Sequence, residues 1–233
     1  MNQDTPTQLV LGVHLQDEAR FSNFVVTAAN SQLLENLQGE DSSRQFIYIW
    51  GNRGSGRTHL LQAVCHQQAE LGNAVLYLPL GEREHFGVEL LQGANTLSMV
   101  CLDDVDELAG DADWEAALFN LYNEVLESDT RLLIAASVPP KKLAITLPDL
   151  QSRLQSCLVY QMQQPADDAK GEILRLRAAN RGMNIEKGVA EFIVLRAERS
   201  LTSLMAILDQ LDRVTLEKGR RVTIPLVKEI MQW

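Results

Sequence analysis

The chain has 233 residues, 45% of them hydrophobic, with 31 acidic against 21 basic side chains and a formal net charge of -10. That size supports a full core, one domain with a small companion, and no apolar run reaches membrane-spanning length or follows a basic terminal head. The acidic balance argues against strong, independent nucleic-acid binding, which needs lysine and arginine to neutralise phosphates, so partners are expected to be proteins.

Residues 1–20 are polar and turn-like, broken by Gln8-Leu9-Val10-Leu11-Gly12-Val13-His14-Leu15. Leu9, Leu11, Val13 and Leu15 alternate with period 2, which marks an extended segment with one apolar edge. Such a segment packs as a strand on its own domain or fills a pocket on a partner, and the pattern leaves both open. Next come Phe21-Ser22-Asn23-Phe24-Val25-Val26 and a helix through Leu33, Leu34 and Leu37, closed by Gly39 and a polar run to Gln45.

A first strand, Phe46-Ile47-Tyr48-Ile49-Trp50, leads into Gly51-Asn52-Arg53-Gly54-Ser55-Gly56-Arg57-Thr58. A helical pattern follows through Leu60, Leu61, Val64, Cys65 and Leu71. Strand, glycine-rich turn and helix form the context of a phosphate-binding P-loop. The glycines let successive N–H groups turn inward on an anion, and the helix N-terminus adds partial positive charge. Thr58 would offer its hydroxyl to Mg²⁺. Arg57 stands where the pattern calls for lysine, and exchanges a compact point charge for a wide, planar fork.

Ala74-Val75-Leu76-Tyr77-Leu78 reads as a second strand ended by Pro79, with a weakly marked helix around Glu89–Leu91. Ser98-Met99-Val100-Cys101-Leu102-Asp103-Asp104 is a third strand whose continuous apolar run predicts burial on both faces of a parallel sheet. Trp114, Leu118, Leu121, Tyr122 and Val125 recur at helical spacing. Arg131–Ala136 is a fourth strand and Cys157–Tyr160 a fifth. This alternation predicts a three-layer α/β domain with a five-stranded, mainly parallel sheet.

The composition changes at Gln163-Gln164-Pro165. Beyond it only helical periodicity remains, through Ile173, Leu174 and Arg177, then Val189, Phe192 and Ile193, then Leu201, Leu204, Leu208 and Leu211. A last helix starts near Thr223 as cap, with Pro225 in its first turn. The expected organisation is an N-terminal segment over 1–20, an α/β domain over 21–164 and a small helical domain over 165–233. Cys65, Cys101 and Cys157 lie inside apolar patterns without paired spacing, as buried reduced thiols of a cytoplasmic protein.

Asp103 and Asp104 end an apolar strand, and ligands of a parallel sheet bind at that edge. Asp103 is therefore expected at Mg²⁺, and Asp104 is placed to orient a water toward a γ-phosphate. Asp106 and Glu107 read as solvated. Ser137, at the end of the fourth strand, either touches the phosphate or stabilises the turn before Pro139-Pro140. Arg153 either pairs locally with Asp149 or projects as a finger toward another subunit's nucleotide. His59 is near the phosphates by position, and no zinc spacing or Ser–His–Asp set exists.

The P-loop, Cys101-Leu102-Asp103-Asp104, Ser152-Arg153-Leu154 and a helical lid together resemble the AAA+ domain of the bacterial initiator DnaA. Phe21-Ser22-Asn23-Phe24-Val25 followed by Asn30 looks like the start of that domain. The lid is the last part matched, which implies a relative without a DnaA-type C-terminal DNA-binding domain. A short AAA+ chain opening with Gln8-Leu9-Val10-Leu11 is similar to the Hda family of DnaA-related regulators. The closing Leu208–Arg213 and Thr223–Ile230 stretches look like that family too.

The resemblance implies a negative regulator of replication initiation rather than a motor. It implies a clamp-binding peptide at Gln8, Leu9 and Leu11 for the DNA polymerase III beta sliding clamp, and stimulation by Arg153 of ATP hydrolysis on DnaA. It also implies a bound nucleoside diphosphate, ADP, with Mg²⁺. Phe24, Val25, Gly51, Asn52, Gly54, Ser55, Gly56, Arg57, Thr58, His59 and Ser137 would hold the nucleotide, with Thr58 and Asp103 on the metal. Two positions depart from the family. Ser137 replaces a longer acidic side chain at sensor 1, and the sensor-2 arginine falls near Ser200-Leu201-Thr202-Ser203 with Arg199 offset. Both favour a held diphosphate over rapid turnover. An autonomous AAA+ ATPase, a loader or remodelling factor using Asp103 and Asp104 on its own ATP, is the alternative. Assembly as a homodimer or higher oligomer stays open.

Overall fold

The structure, a computed structural model, describes residues 19–39, 45–198, 200–218 and 221–233. The alternating segment with Gln8, Leu9 and Leu11 lies outside the described residues. Two compact units emerge, one of residues 19–21 and 28–162, the other of 22–27 and 163–233.

The first unit runs α1 (Ser31–Gln38), β1 (Phe46–Trp50), α2 (Arg57–Glu70), β2 (Val75–Pro79), β3 (Met99–Asp103), α3 (Ala112–Leu126), β4 (Arg131–Ala136), α4 (Pro148–Gln155) and β5 (Leu158–Gln161). The strands form one sheet in the order β2-β3-β4-β1-β5, and every pairing is parallel. The five-stranded α/β fold expected from the sequence is the one formed. Pro79 ends an edge strand, where a missing N–H costs no ladder bond.

Side-chain parity sorts the two faces. Tyr48, Val100, Leu102, Leu132 and Ile134 point into a core shared with Trp114, Leu118 and Leu121 of α3 and Leu150 and Leu154 of α4. The alternate residues Ile47, Ile49, Cys101, Leu133 and Ala135 are equally buried but outside that core. There α2 packs on β2, β3 and β4, and the Cys101 thiol meets that of Cys65. So α2 lies on one face, α3 and α4 on the other. Strands buried on both faces must be apolar throughout, and β3 is buried at all five positions. All three cysteines are free and buried.

Two local expectations differ. Instead of an α-helix at Glu89–Leu91, the chain makes three short 3-10 turns at Leu80–His85, Val88–Leu91 and Ala94–Thr96. Gly87 and Gly93 stand directly before the second and third, Gly93 at φ +72°, and runs this short cannot nucleate an α-helix. Leu71 is past the end of α2 and 69% exposed, so it takes no part in the helix's buried face.

The second unit holds α5 (Asp167–Asn180), α6 (Lys187–Arg196), α7 (Leu201–Lys218) and α8 (Ile224–Met231). Leu174, Ile193, Leu204, Leu208, Leu211 and Val227 close its core. Thr223 accepts a hydrogen bond from the Leu226 N–H at 3.4 Å, and Pro225 sits in the first turn of α8, as the sequence predicts. Among the described residues no helix is long and apolar enough to cross a membrane.

One buried carboxylate joins α3 to α4. Glu115 is 1% exposed and accepts from the Gly110 N–H at 2.8 Å, the Thr146 N–H at 3.0 Å, the Thr146 hydroxyl at 2.7 Å and the Leu147 N–H at 2.8 Å. Leu147 is the N-cap of α4, so this carboxylate fixes where that helix begins. Burial alone would raise its pKa, but the donors outweigh it and hold the carboxyl below the ordinary glutamate value. Glu115→Gln turns an NH₂ toward those donors and is expected to cost about 3 kcal/mol in denaturant unfolding. The depressed pKa makes the Glu115 contribution full above the ordinary glutamate value and lost as pH falls through the folded one. Glu115→Gln should therefore flatten the acid limb of the stability curve; an unchanged limb and midpoint would remove Glu115 from this role.

Candidate functional site

The candidate site begins where β1 ends. The Trp50 carbonyl accepts from the Met162 N–H at 2.7 Å, and the Gly51 N–H donates to the Ala136 carbonyl at 3.2 Å. A Cβ on Gly51 would lie 2.3 Å from the Met162 carbonyl oxygen, so only glycine fits there. The loop then turns through Gly54 at φ +80° and Gly56 at φ +96°, left-handed conformations open to glycine without strain. Asn52 closes the turn by accepting from the Ser55 N–H at 3.0 Å. Gly56 is the N-cap of α2 and offers no side-chain cap, so the first N–H groups of α2 lack that partner.

Two buried polar atoms in this cradle have no hydrogen-bond partner, Ser55 Oγ and Arg57 Nη1. Ser55 is 5% and Arg57 8% exposed, and a buried donor without an acceptor is costly. An anion in the cradle removes that cost, and a phosphate group fits both donors and the helix N-terminus. The chemistry of the loop is therefore that of a phosphate site. Thr58 is half-buried in the first turn of α2.

The order β2-β3-β4-β1-β5 puts the ends of β3 and β4 beside the P-loop. Asp103 is 1% exposed, and both carboxylate oxygens accept hydrogen bonds, from the Tyr77 hydroxyl and the Asp104 N–H, each at 3.0 Å. Burial first, then the Asp103 charge, raises the Tyr77 pKa, so the phenol stays a donor. Asp104 adopts a left-handed conformation at φ +53°, uncommon outside glycine but tolerated by aspartate. Its Oδ1 lies 3.0 Å from Arg57 Nη2. Burial, reinforced by Asp103 and opposed by Arg57, pushes the Asp104 carboxyl up to about 6.

Ser137 follows β4, and its N–H donates to Asp106 Oδ1 at 2.9 Å while its hydroxyl donates to Asp106 Oδ2. Asp106 is thus no solvated charge, contrary to the sequence expectation; it clamps the end of β4. Glu107 is exposed. His59 Nε2–H donates to the Arg20 carbonyl at 2.9 Å, tying the incoming chain to α2. Phe24 and Val25 are half-buried in the segment that groups with the second unit. In that unit Ser200 accepts from the Ser203 N–H at 3.0 Å and caps α7, while Arg199 lies outside the described residues.

Arg153 does not make the local pair that the sequence also allows. Among the described residues it forms no ion pair, with Asp149 or any other carboxylate. Its guanidinium is exposed and stands over the Tyr122 ring, 5.8 Å from the centroid. Tyr122 in turn stacks on Phe46 at 4.1 Å and shares a hydrogen bond with Ser156 at 3.1 Å. Because α4 packs on the face opposite α2, the sheet separates Arg153 from the P-loop helix of its own chain. Sequence reasoning missed the roles of Tyr77, Asp106, Glu115 and Tyr122, each of which has a partner remote in sequence.

A sequence profile described as "Bacterial DnaA ATPAse domain" matches residues 15–161, and one described as "Hda, lid domain" matches residues 167–231. Solved structures with this fold include domain III of the Thermotoga maritima replication initiation protein DnaA. It is 23% identical, with a TM-score of 0.79 over 94% of this chain and 98% of that one. AMPPCP-bound DnaA from Aquifex aeolicus is 20% identical, with a TM-score of 0.71 over 88% and 69%. The Thermotoga maritima RuvB Holliday junction branch migration motor is 16% identical, with a TM-score of 0.69 over 92% and 71%. At these identities the structural likeness is one of fold.

The crowding at Gly51 is directly testable. Gly51→Ala must separate β1 from the Met162 backbone, and is expected to cost about 2 kcal/mol in denaturant unfolding, in line with overpacked sites. A wild-type midpoint would mean that the loop relaxes freely.

Proposed function

Because the chain belongs to the DnaA-related AAA+ family and carries an Hda-type lid, we propose that it is a regulator of replication initiation. It holds a nucleoside diphosphate, ADP, in its own P-loop and acts on the ATP of a DnaA-type partner. Gly51, Asn52, Gly54, Ser55, Gly56 and Arg57 cradle the phosphates, and Ser137 lies at their far end. Thr58 and Asp103 are the residues that would hold Mg²⁺. When bound, Mg²⁺ neutralises phosphate charge. Residues 1–20 act as a docking peptide for the DNA polymerase III beta sliding clamp through Gln8, Leu9 and Leu11, and residues 165–233 serve as the lid.

The observation that carries this reading is Arg153. It is exposed, makes no ion pair among the described residues and stands across the sheet from α2. An arginine so placed cannot serve the phosphates of its own chain, but it can neutralise charge developing on a neighbour's phosphoryl group, an effect worth roughly 10³–10⁵ in rate. The Tyr122 ring, its centroid 5.8 Å from the guanidinium, holds it without consuming its donors in an ion pair.

Arg153→Ala should fold, keep its own nucleotide and bind the clamp, yet lose stimulation of ATP hydrolysis on DnaA in a reaction reconstituted with clamp and DNA. Arg153→Lys should rescue little, since one ammonium cannot reproduce the planar fork. Full stimulation by Arg153→Ala would end the assignment. For the docking peptide, Gln8→Ala with Leu11→Ala should remove clamp binding in surface plasmon resonance and leave the melting temperature within about a degree or two, as surface changes do. Early melting of that double variant would show the segment to be part of the fold.

A further inference from the structure

Arg57 differs from the lysine of the P-loop pattern in more than shape, because its fork already has an occupant. Nη2 holds Asp104 Oδ1 at 3.0 Å, while Nη1 is buried without a partner. The side chain is 8% exposed, so its direction is fixed by packing and by that pair. Asp104 has a left-handed backbone at φ +53°, and its side chain, 41% exposed, is held through Oδ1 by Arg57. One nitrogen is therefore engaged by a carboxylate, while the other, buried in the first turn behind the glycine loop, still has donors for an anion. A lysine ammonium carries its three donors at one point and cannot divide them between two acceptors in this way.

We propose that Arg57 is the residue that prevents this chain from hydrolysing its own nucleoside triphosphate, by holding Asp104 on one nitrogen while the other binds phosphate. The inference rests on the reading that the P-loop holds a nucleotide. Hydrolysis at such a site joins a water oxygen to the γ-phosphorus, breaks the bond from that phosphorus to the β–γ bridging oxygen, and yields nucleoside diphosphate, inorganic phosphate and a proton. The water must be oriented by an acceptor, and Asp104 ends the strand beside the P-loop where that acceptor is needed. With Oδ1 held by Arg57, the carboxylate is turned by the guanidinium and its charge is offset, which makes it a poorer acceptor for the water. Asp103 does not replace it, since Tyr77 and a backbone N–H occupy its two oxygens inside the core. The pair thus turns a potential ATPase site into one that keeps what it binds.

Two consequences separate this from a merely structural pair. Removing the Asp104 charge leaves Arg57 a weaker, neutral acceptor there, so the fork turns more fully to the phosphates, and it removes a neighbouring negative charge. Asp104→Asn should therefore tighten ADP binding about tenfold in calorimetry on nucleotide-stripped protein. Replacing the fork by a point charge sends that charge to the phosphates and releases the carboxylate. Arg57→Lys should therefore raise single-turnover ATP hydrolysis about a hundredfold, the usual worth of a positioned acid–base group. Arg57→Lys with Asp104→Asn should return to the wild-type rate.

Unchanged or weaker ADP binding by Asp104→Asn would overturn the inference while leaving the nucleotide site intact. So would an Arg57→Lys protein that binds ATP without turning it over, or that no longer binds it, because the fork would then not be divided. A wild-type protein that binds no ADP would overturn the nucleotide reading itself and this inference with it.

Discussion

The site depends on β1 being held on both edges. Trp50 and Gly51 are tied at once to Met162 and Ala136, the ends of the strand systems on either side. An edge strand would leave the following loop free on one side. A strand between two parallel neighbours delivers it to a fixed place, and the absent Cβ of Gly51 lets three backbones meet there. The position of α2, and hence of Arg57 and Thr58 in its first turn, follows from that junction. The same order brings the end of β3 within reach of Arg57 and sets Ser137 between them.

How much of this could be read beforehand depended on whether the information was local. β1, β3 and β4 are buried on both faces and so spell themselves out as apolar runs. α3 and α8 carry their period, their caps and, in α8, a proline in the first turn. The P-loop is legible because its glycines answer to backbone conformation, which acts over one or two residues. The 3-10 turns of residues 80–96 were less so, since helix propensity there is weak and Gly87 and Gly93 break it. Glu115 was illegible for a different reason. Its partners lie 31 and 32 residues downstream, at Thr146 and Leu147, and a glutamate in an amphipathic helix ordinarily faces water. The contact of Arg153 with the Tyr122 ring spans two helices and could not be chosen over a pair with Asp149 from spacing alone.

The acidic run after β3 shows how one sequence feature is divided by the fold. Asp103, Asp104 and Asp106 look alike in a list of charges, yet each is met by a different kind of donor. A phenol and a backbone amide meet the first, a guanidinium the second, and a serine amide and hydroxyl the third. Three carboxylates this close would repel one another and resist burial if left to themselves. The donors come from β2, from α2 and from the end of β4, so the run holds the three elements in register. This is why Asp106 is structural despite its solvated appearance in sequence.

Arg57 and Arg153 carry the same group into opposite environments, and the contrast follows from what each environment permits. A guanidinium buried in the first turn of α2 must find acceptors, and with Asp104 on one nitrogen the other is left buried with a donor to satisfy. A guanidinium on the outer surface of α4 has water in place of a carboxylate, so it needs something to limit its motion without consuming its donors. A ring face does that, because it attracts the cation without accepting a conventional hydrogen bond in the way a carboxylate does. Had α4 offered Asp149 as a partner, the edge of the fork would be engaged and an approaching anion would have to displace it. The Phe46–Tyr122 stack therefore matters beyond packing, because it ties the ring to β1, the strand that also sets the P-loop. Under the proposed function, one strand thus positions both arginines, the one that keeps a nucleotide and the one that acts on another.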